Sequence, residues 1–299
     1  MQQDLPSRWH RLAADAFGLW LAPLAAAVLP GRAGYALARR CARSERLYRD
    51  AVDAAWAVAQ RYCTDADVSA WKYRYRLLRL VDHVDSYSTL LHGARWWRHR
   101  IDRQGEWPVA DGPRVFLTYH WGAGHWIWRE LQAAGFHASF LARRPEGRAL
   151  GVTRLSHWYG AFRAWALPRI GSRGPLFVGG SRDAIAEALR AGTSIVGMLD
   201  LPAAAQQRAI ELPFAGRRVR FPIGLTEIAV AGRFPVTLFA AGLDVATGRR
   251  RLWIENLDQG AGIEEVMRRY AALLEARVAE TPEFWQLWRE APAMFVMPA

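Results

Sequence analysis

Apolar residues recur at three- and four-residue steps through Tyr35, Leu37, Leu47, Val52, Ala55 and Val58, and again through Leu77, Leu78, Val81 and Val84. That period predicts helices from Gly34 to about Arg103, with no convincing strand before residue 113. The texture changes at the turn-rich link Trp107-Pro108-Val109-Ala110-Asp111-Gly112-Pro113. Beyond it, short β-branched or apolar runs predict strands at Arg114–Thr118, Ala138–Ala142, Leu176–Val178, Ser194–Leu199, Ala209–Pro213, Phe234–Ala240 and Arg251–Ile254. Between them, helical patterns cover Gly124–Ala134, Arg148–Trp165, Arg182–Ala191, Leu225–Ala231 and Ile263–Ala279. The alternation predicts an α/β fold, an open mixed sheet flanked by helices and preceded by an N-terminal helical region. Three segments follow: residues 1–31, 32–110 and 111–299.

The first segment runs Arg8, Arg11, then Ala16-Phe17-Gly18-Leu19-Trp20-Leu21-Ala22-Pro23. Its apolar stretch, Ala16 to Gly31, falls short of the ~20 residues of a spanning helix, and Pro23 is expected to interrupt it. Basic residues, an apolar run and Ala25-Ala26-Ala27 superficially resemble a secretory signal, but Asp15 at the run's edge argues against one. The expectation is an amphipathic helix in the membrane interface, with Trp20 at headgroup depth.

Composition changes this picture in one respect. The 299 residues carry 40 Lys+Arg against 28 Asp+Glu, a net charge of +12, and Lys72 is the only lysine. Residues 1–110 hold 17 basic and 11 acidic side chains and the rest 23 and 17, so no basic tail exists to grip nucleic acid. Several of the 15 tryptophans adjoin arginine, as in Arg95-Trp96-Trp97-Arg98 and Trp126-Ile127-Trp128-Arg129. Indole rings and snorkelling arginines suit the lipid–water boundary, which favours a peripheral membrane protein over a nucleic-acid binder. Two cysteines, Cys41 and Cys63, make no disulfide framework.

Ligands in open α/β sheets bind beyond the carboxyl ends of strands. The first predicted strand exits into Thr118-Tyr119-His120-Trp121-Gly122-Ala123-Gly124-His125-Trp126. His120 is therefore expected at the strand exit and His125 in the first turn of the next helix. Gly122-x-Gly124-x-x-Ile127 approaches a dinucleotide fingerprint but lacks the third glycine, and Arg143-Arg144 would at best suit a 2′-phosphate. His-x4-His is not a standard metal-ligand spacing, so no metal is expected. Neither Ser172 nor Ser181 sits in a nucleophile elbow.

The loop resembles the His-x4-(Asp/Glu) signature of the bacterial lipid A late acyltransferases, within the lysophospholipid-acyltransferase superfamily. The resemblance continues through Met198-Leu199-Asp200-Leu201-Pro202, Glu211-Leu212-Pro213-Phe214-Ala215-Gly216-Arg217, Phe221-Pro222-Ile223-Gly224 and Pro282-Glu283-Phe284-Trp285-Gln286-Leu287-Trp288-Arg289. It covers about 110–290. One position departs: where the family has its acid, this chain has His125. The alternative register His125-x4-Glu130 is rejected, because five helical steps would set the two about 140° apart.

The resemblance implies an acyltransferase domain over 111–299. It would move an acyl group from an acyl-carrier-protein or acyl-CoA thioester to a hydroxyl of a lipidic acceptor, with no other cofactor. The acceptor would be a glycolipid or an aryl-polyene or xanthomonadin-type pigment lipid, and the missing acid favours the pigment branch. His120 would be the general base, oriented by His125, Asp200 or backbone alone. The resemblance singles out Arg217 to bind a phosphate or oxyanion; Arg143, Arg144, Arg218 and Arg220 join it as phosphate candidates because they lie on or just beyond predicted strand ends, and Gly122, Gly124 and Gly224 would line the substrate site. The place of action would be the cytoplasmic side of the inner membrane. Two other classes remain open: a non-catalytic lipid-binding or scaffold relative, and an NADP-dependent oxidoreductase.

Overall fold

A computed structural model describes residues 8–63, 66–142, 153–179, 181–203 and 207–296. The N-terminal third is helical: α1 (Arg8–Asp15), a π-helical turn (Ala16–Leu21), α2 (Ala22–Val28), α3 (Gly31–Ala42), α4 (Arg49–Ala59), α5 (Val68–Leu91) and α6 (Ala94–Arg98). There follow β1 (Ile101–Gln104), β2 (Val115–Thr118), α7 (Ile127–Ala133), β3 (Ala138–Ala142), α8 (Arg154–Ala166) and β4 (Ser172–Phe177). The chain continues through α9 (Arg182–Arg190), β5 (Ser194–Met198), β6 (Ala209–Phe214), β7 (Arg217–Pro222) and α10 (Gly224–Ala231). It closes with β8 (Val236–Leu243), β9 (Arg250–Asn256) and α11 (Ile263–Glu280).

Seven strands form one mixed sheet in the order β1-β9-β8-β2-β5-β3-β4, and β6 and β7 make a separate antiparallel hairpin. β8, β2, β5, β3 and β4 run parallel, while β9 runs antiparallel to β8 and carries β1 beside it. Successive residues of a strand face opposite sides. Val115 and Leu117 accordingly join the larger apolar core with α10 and α11, and Phe116 joins the smaller one with Trp126, Leu131 and Phe239. Both faces of β2 are dry, which is why its sequence is continuously apolar.

Three expectations need correction. β1 lies before residue 113: it is an edge strand with only Ile101 buried, so charged Asp102 and Arg103 leave no alternation to read. The run Ala209–Pro213 is a strand but belongs to the hairpin, and its partner Arg217–Pro222, dense in arginine, was missed. Pro23 does not interrupt the first helix. Helical backbone runs from Arg8 to Val28, and its Trp9–Val28 stretch, 20 residues at mean hydropathy 1.3, is long and apolar enough to cross a membrane.

The reason is local. A mid-helix proline leaves the carbonyl four residues earlier without its donor. Here that carbonyl is Leu19 O, and the Tyr87 hydroxyl donates to it at 2.8 Å, while Tyr48 donates to Gly18 O at 2.6 Å. A Cβ at Gly18 would come within 2.9 Å of the Tyr48 ring, so glycine admits this contact. Trp20 is not free for headgroups either. It packs on Tyr87, Tyr159 and Phe162 and donates to Leu155 O. Beside it, a stripe of Phe17, Leu21, Leu24 and Val28 stays exposed.

Candidate functional site

β2 and β5 are adjacent parallel strands in which Thr118 pairs with Met198. Two residues beyond that pair, on either strand, stand His120 and Asp200. Equal steps from a registered pair bring the side chains together at the carboxyl edge of the sheet. The Asp200 carboxylate, fully buried, accepts from His120 twice: from the backbone N–H at 2.8 Å and from Nδ1–H at 2.9 Å. Trp285 Nε1–H donates to the same carboxylate at 3.0 Å, and the Tyr270 hydroxyl stands at 3.5 Å. An ionised carboxylate can only accept, so Nδ1 carries the ring proton. Nε2 is then the free base of a half-buried imidazole. Burial pulls the His120 pKa down, but the charge and hydrogen bond of Asp200 outweigh it, with a further push from Glu290, so the net value is raised above 6.5.

Two further elements hold this pair. Tyr270, on α11, donates to Thr118 O at 2.8 Å and accepts from the Leu199 N–H at 2.9 Å, tying the ends of β2 and β5. The closing segment Pro282–Trp285 lies along the histidine loop. Gly122 N–H donates to Phe284 O, Gln286 N–H to His120 O, and the Gln286 amide to Gly122 O at 2.6 Å. Gly122 has φ +86°, and a Cβ there would fall 1.8 Å from Ala241 O, so only glycine fits. The Gly122 and Ala123 N–H groups are spent on the Phe284 and Ala241 carbonyls, which leaves a pyrophosphate two fewer donors in this loop. A Cβ at Gly124 would sit 3.7 Å from Ala241 Cβ, and one at Gly224, which opens α10, would meet nothing within 4 Å.

His125 does not join His120. It lies in the turn before α7, which begins only at Ile127, and its side chain is buried with both ring nitrogens unpartnered. Burial and the nearby Arg163 hold its pKa well below 6.5, so it stays neutral. Glu130 turns elsewhere too, receiving the Arg103 guanidinium at 2.9 Å. The arginines also disperse. Arg217 lies over the Tyr62 and Phe295 rings, 5.7 and 5.5 Å from their centroids, and no contact among the described residues links it to His120. Arg218 pairs with Glu211 across the hairpin at 3.4 Å, and the Arg220 N–H bonds Met294 O. Arg143 and Arg144 fall outside the described residues.

Of the sequence candidates, His120 and Asp200 meet, and Gly122 shapes their loop. Tyr270 carried no sequence signal, since it reads as one more apolar position of α11. Trp285 and Gln286 lie in a motif already singled out, but no role could be read for them. No protein-family model and no curated protein matches the chain.

Proposed function

We propose that the protein is an acyltransferase that works at a membrane surface, with His120 as general base and Asp200 as its orienting carboxylate. The observation that carries this reading is the paired hydrogen bonding of Asp200 to the backbone and Nδ1 of His120, at the carboxyl edge of the central strand. A hydroxyl attacks a thioester poorly until a base takes its proton during attack. His120 Nε2 would take that proton while the acceptor oxygen bonds the thioester carbon. The tetrahedral intermediate would then break its C–S bond, and the thiolate would leave with the proton from the imidazolium. Asp200 stabilises that imidazolium and fixes the tautomer, as the acid does in a Ser-His-Asp triad. His120 has no serine or cysteine beside it among the described contacts, which supports direct transfer within a ternary complex.

The membrane assignment rests on the exposed stripe Phe17, Leu21, Leu24 and Val28, with Trp158 and Trp165 exposed on neighbouring α8. Arg169 stacks 3.8 Å over the Trp165 ring, a pairing suited to lipid phosphates. The donor would be acyl carrier protein or coenzyme A thioester, and the acceptor a hydroxyl-bearing glycolipid or pigment lipid. The test is to incubate purified protein with each thioester and a membrane-lipid extract and weigh the lipids by mass spectrometry. A lipid heavier by one acyl group, matched by released thiol, is expected. Thioester and lipid both unchanged would reject the reading.

A further inference from the structure

A cavity of about 370 Å³ lies where α2, α3 and α5 meet the end of α6 and the start of β9. Arg32, Arg100, Arg249 and Arg250 line it. Two of these are matched by acids: Arg250 forks onto buried Asp85, and Arg249 onto Asp102. The other two meet no carboxylate among the described residues. The Arg100 guanidinium stacks 3.8 Å over the Trp96 ring and, among the described residues, donates only to Trp96 O.

The Arg100 guanidinium also lies against the first residue of α3, where a Cβ on Gly31 would meet Nη2 at 2.3 Å. That helix has no acidic residue in its first turn and no side-chain cap, so its positive end and a cation share one space. Burial, together with Arg250 and Arg249, pulls the Arg100 pKa down, the mark of a cation without its counter-charge. One side of the remaining wall is apolar, with Ala26, Ala27, Leu29 and Val81, and the other is polar, with Ser88, His99 and Thr247. Leu29 and its neighbour Val28 are exposed, so the apolar side continues into the outer stripe of the first helix.

The cavity sits on the same edge of the sheet as His120. β9 is antiparallel to β8 and its Arg250 pairs with Leu243, at the carboxyl end of β8. β9 is two strands from β2, a lateral distance of about 10 Å.

We propose that this cavity binds the phosphate headgroup of an anionic phospholipid, with Arg100 and Arg32 as its counter-ions and the alanine-rich wall against its glycerol and first acyl carbons. The planar guanidinium fork matches phosphate oxygens, and the apolar wall selects an amphiphile over a bare ion. Headgroup binding stands on this cavity alone; its service in seating the acceptor beside His120 rests on the acyl-transfer reading.

Calorimetric titration of the full chain with dioctanoyl phosphatidic acid, below its micelle concentration, tests the proposal. Dioctanoylglycerol and inorganic phosphate are the two comparison ligands. The phosphatidic acid is expected to bind at least tenfold more tightly than either. Arg32→Gln, at an exposed position, should weaken it about fivefold, and Arg32→Gln with Arg100→Gln at least thirtyfold. The double variant without ligand loses the Arg100 stack on Trp96 and, with it, the repulsion from Arg249 and Arg250, so it should stay folded by far-UV circular dichroism. His120→Gln should bind as wild type does, which separates headgroup binding from turnover. Equal affinity in wild type and the double variant would overturn the proposal. So would inorganic phosphate binding as tightly as the lipid, which marks a free-anion site, or diacylglycerol doing so, which marks a merely apolar one.

Discussion

Replacing Asp200 with asparagine changes one atom and should disable the base. Oδ2 accepts two N–H groups, the His120 backbone at 2.8 Å and Trp285 Nε1 at 3.0 Å, while Oδ1 accepts Nδ1–H at 2.9 Å and the Tyr270 proton goes to Thr118 O instead. Asparagine has a single acceptor oxygen, and its best seat is where two donors converge. Its NH2 group then points at Nδ1, which must become an acceptor. The ring proton moves to Nε2, and the atom that should take the acceptor's proton already holds one. The reverse amide orientation would set NH2 against two buried donors, at about 1–3 kcal/mol for each unsatisfied group. The wrong tautomer is therefore favoured by roughly 2–6 kcal/mol, enough to lower the rate by about thirtyfold to 10⁴-fold. That range spans the usual worth of a general base. Thiol release from the acyl thioester, followed continuously with a chromogenic disulfide, measures the loss. Asp200→Asn should fall to within about tenfold of His120→Ala, and the double variant should lose little more, as for groups acting as a unit. Retention of more than about a tenth of wild-type activity by Asp200→Asn would refute the tautomer argument.

Other consequences follow from the same geometry. The raised His120 pKa means that wild-type kcat/KM should climb with pH through a midpoint above 6.5, because the base must be unprotonated; a midpoint below 6.5 would contradict it. By linkage, the stability that His120 adds should be complete below its unfolded pKa of about 6.5 and fade as pH rises through the higher folded value, which urea titrations across pH would register. Trp285→Phe removes a donor from Asp200 and should move the activity midpoint further up while costing about tenfold in kcat. Gly122→Ala should destabilise by about 3 kcal/mol or more, since it combines positive φ with a backbone clash, and thermal melting would show it. Leu21→Glu with Leu24→Glu should cut vesicle binding at least tenfold in sedimentation while leaving far-UV circular dichroism unchanged, because both side chains are exposed. Removing residues 1–31 should instead harm the fold, since Tyr48, Tyr87 and Trp20 anchor the helix to the body.

The sheet was legible because four of its strands, β8, β2, β5 and β3, are parallel and interior, so their apolar runs stand out against helical periods on either side. β1 was illegible for the opposite reason: an edge strand with one buried residue needs no pattern. β7 hid behind its arginines, and its pairing with β6 is a hairpin property that runs of hydrophobicity do not encode. His120 could be placed at a strand exit by sequence alone, but its partner could not. Whether His125 or Asp200 faced it depended on the register of β2 against β5, a long-range fact. The arginines near Arg217 looked suited to an anion because they lie on or just beyond predicted strand ends. The arginines that line a cavity come from α3, the end of α6 and β9, far apart in sequence.

The central claim is that His120 removes the proton from an acceptor hydroxyl while a thioester is broken. Single-turnover transfer of a radiolabelled acyl group, from thioester to vesicle lipid, tests it most directly by comparing wild type with His120→Gln. The label should appear in the lipid fraction with wild type and at a rate about 10²–10⁴ lower with His120→Gln, with thioester consumption falling in step. Equal rates of label transfer by the two proteins would contradict the account.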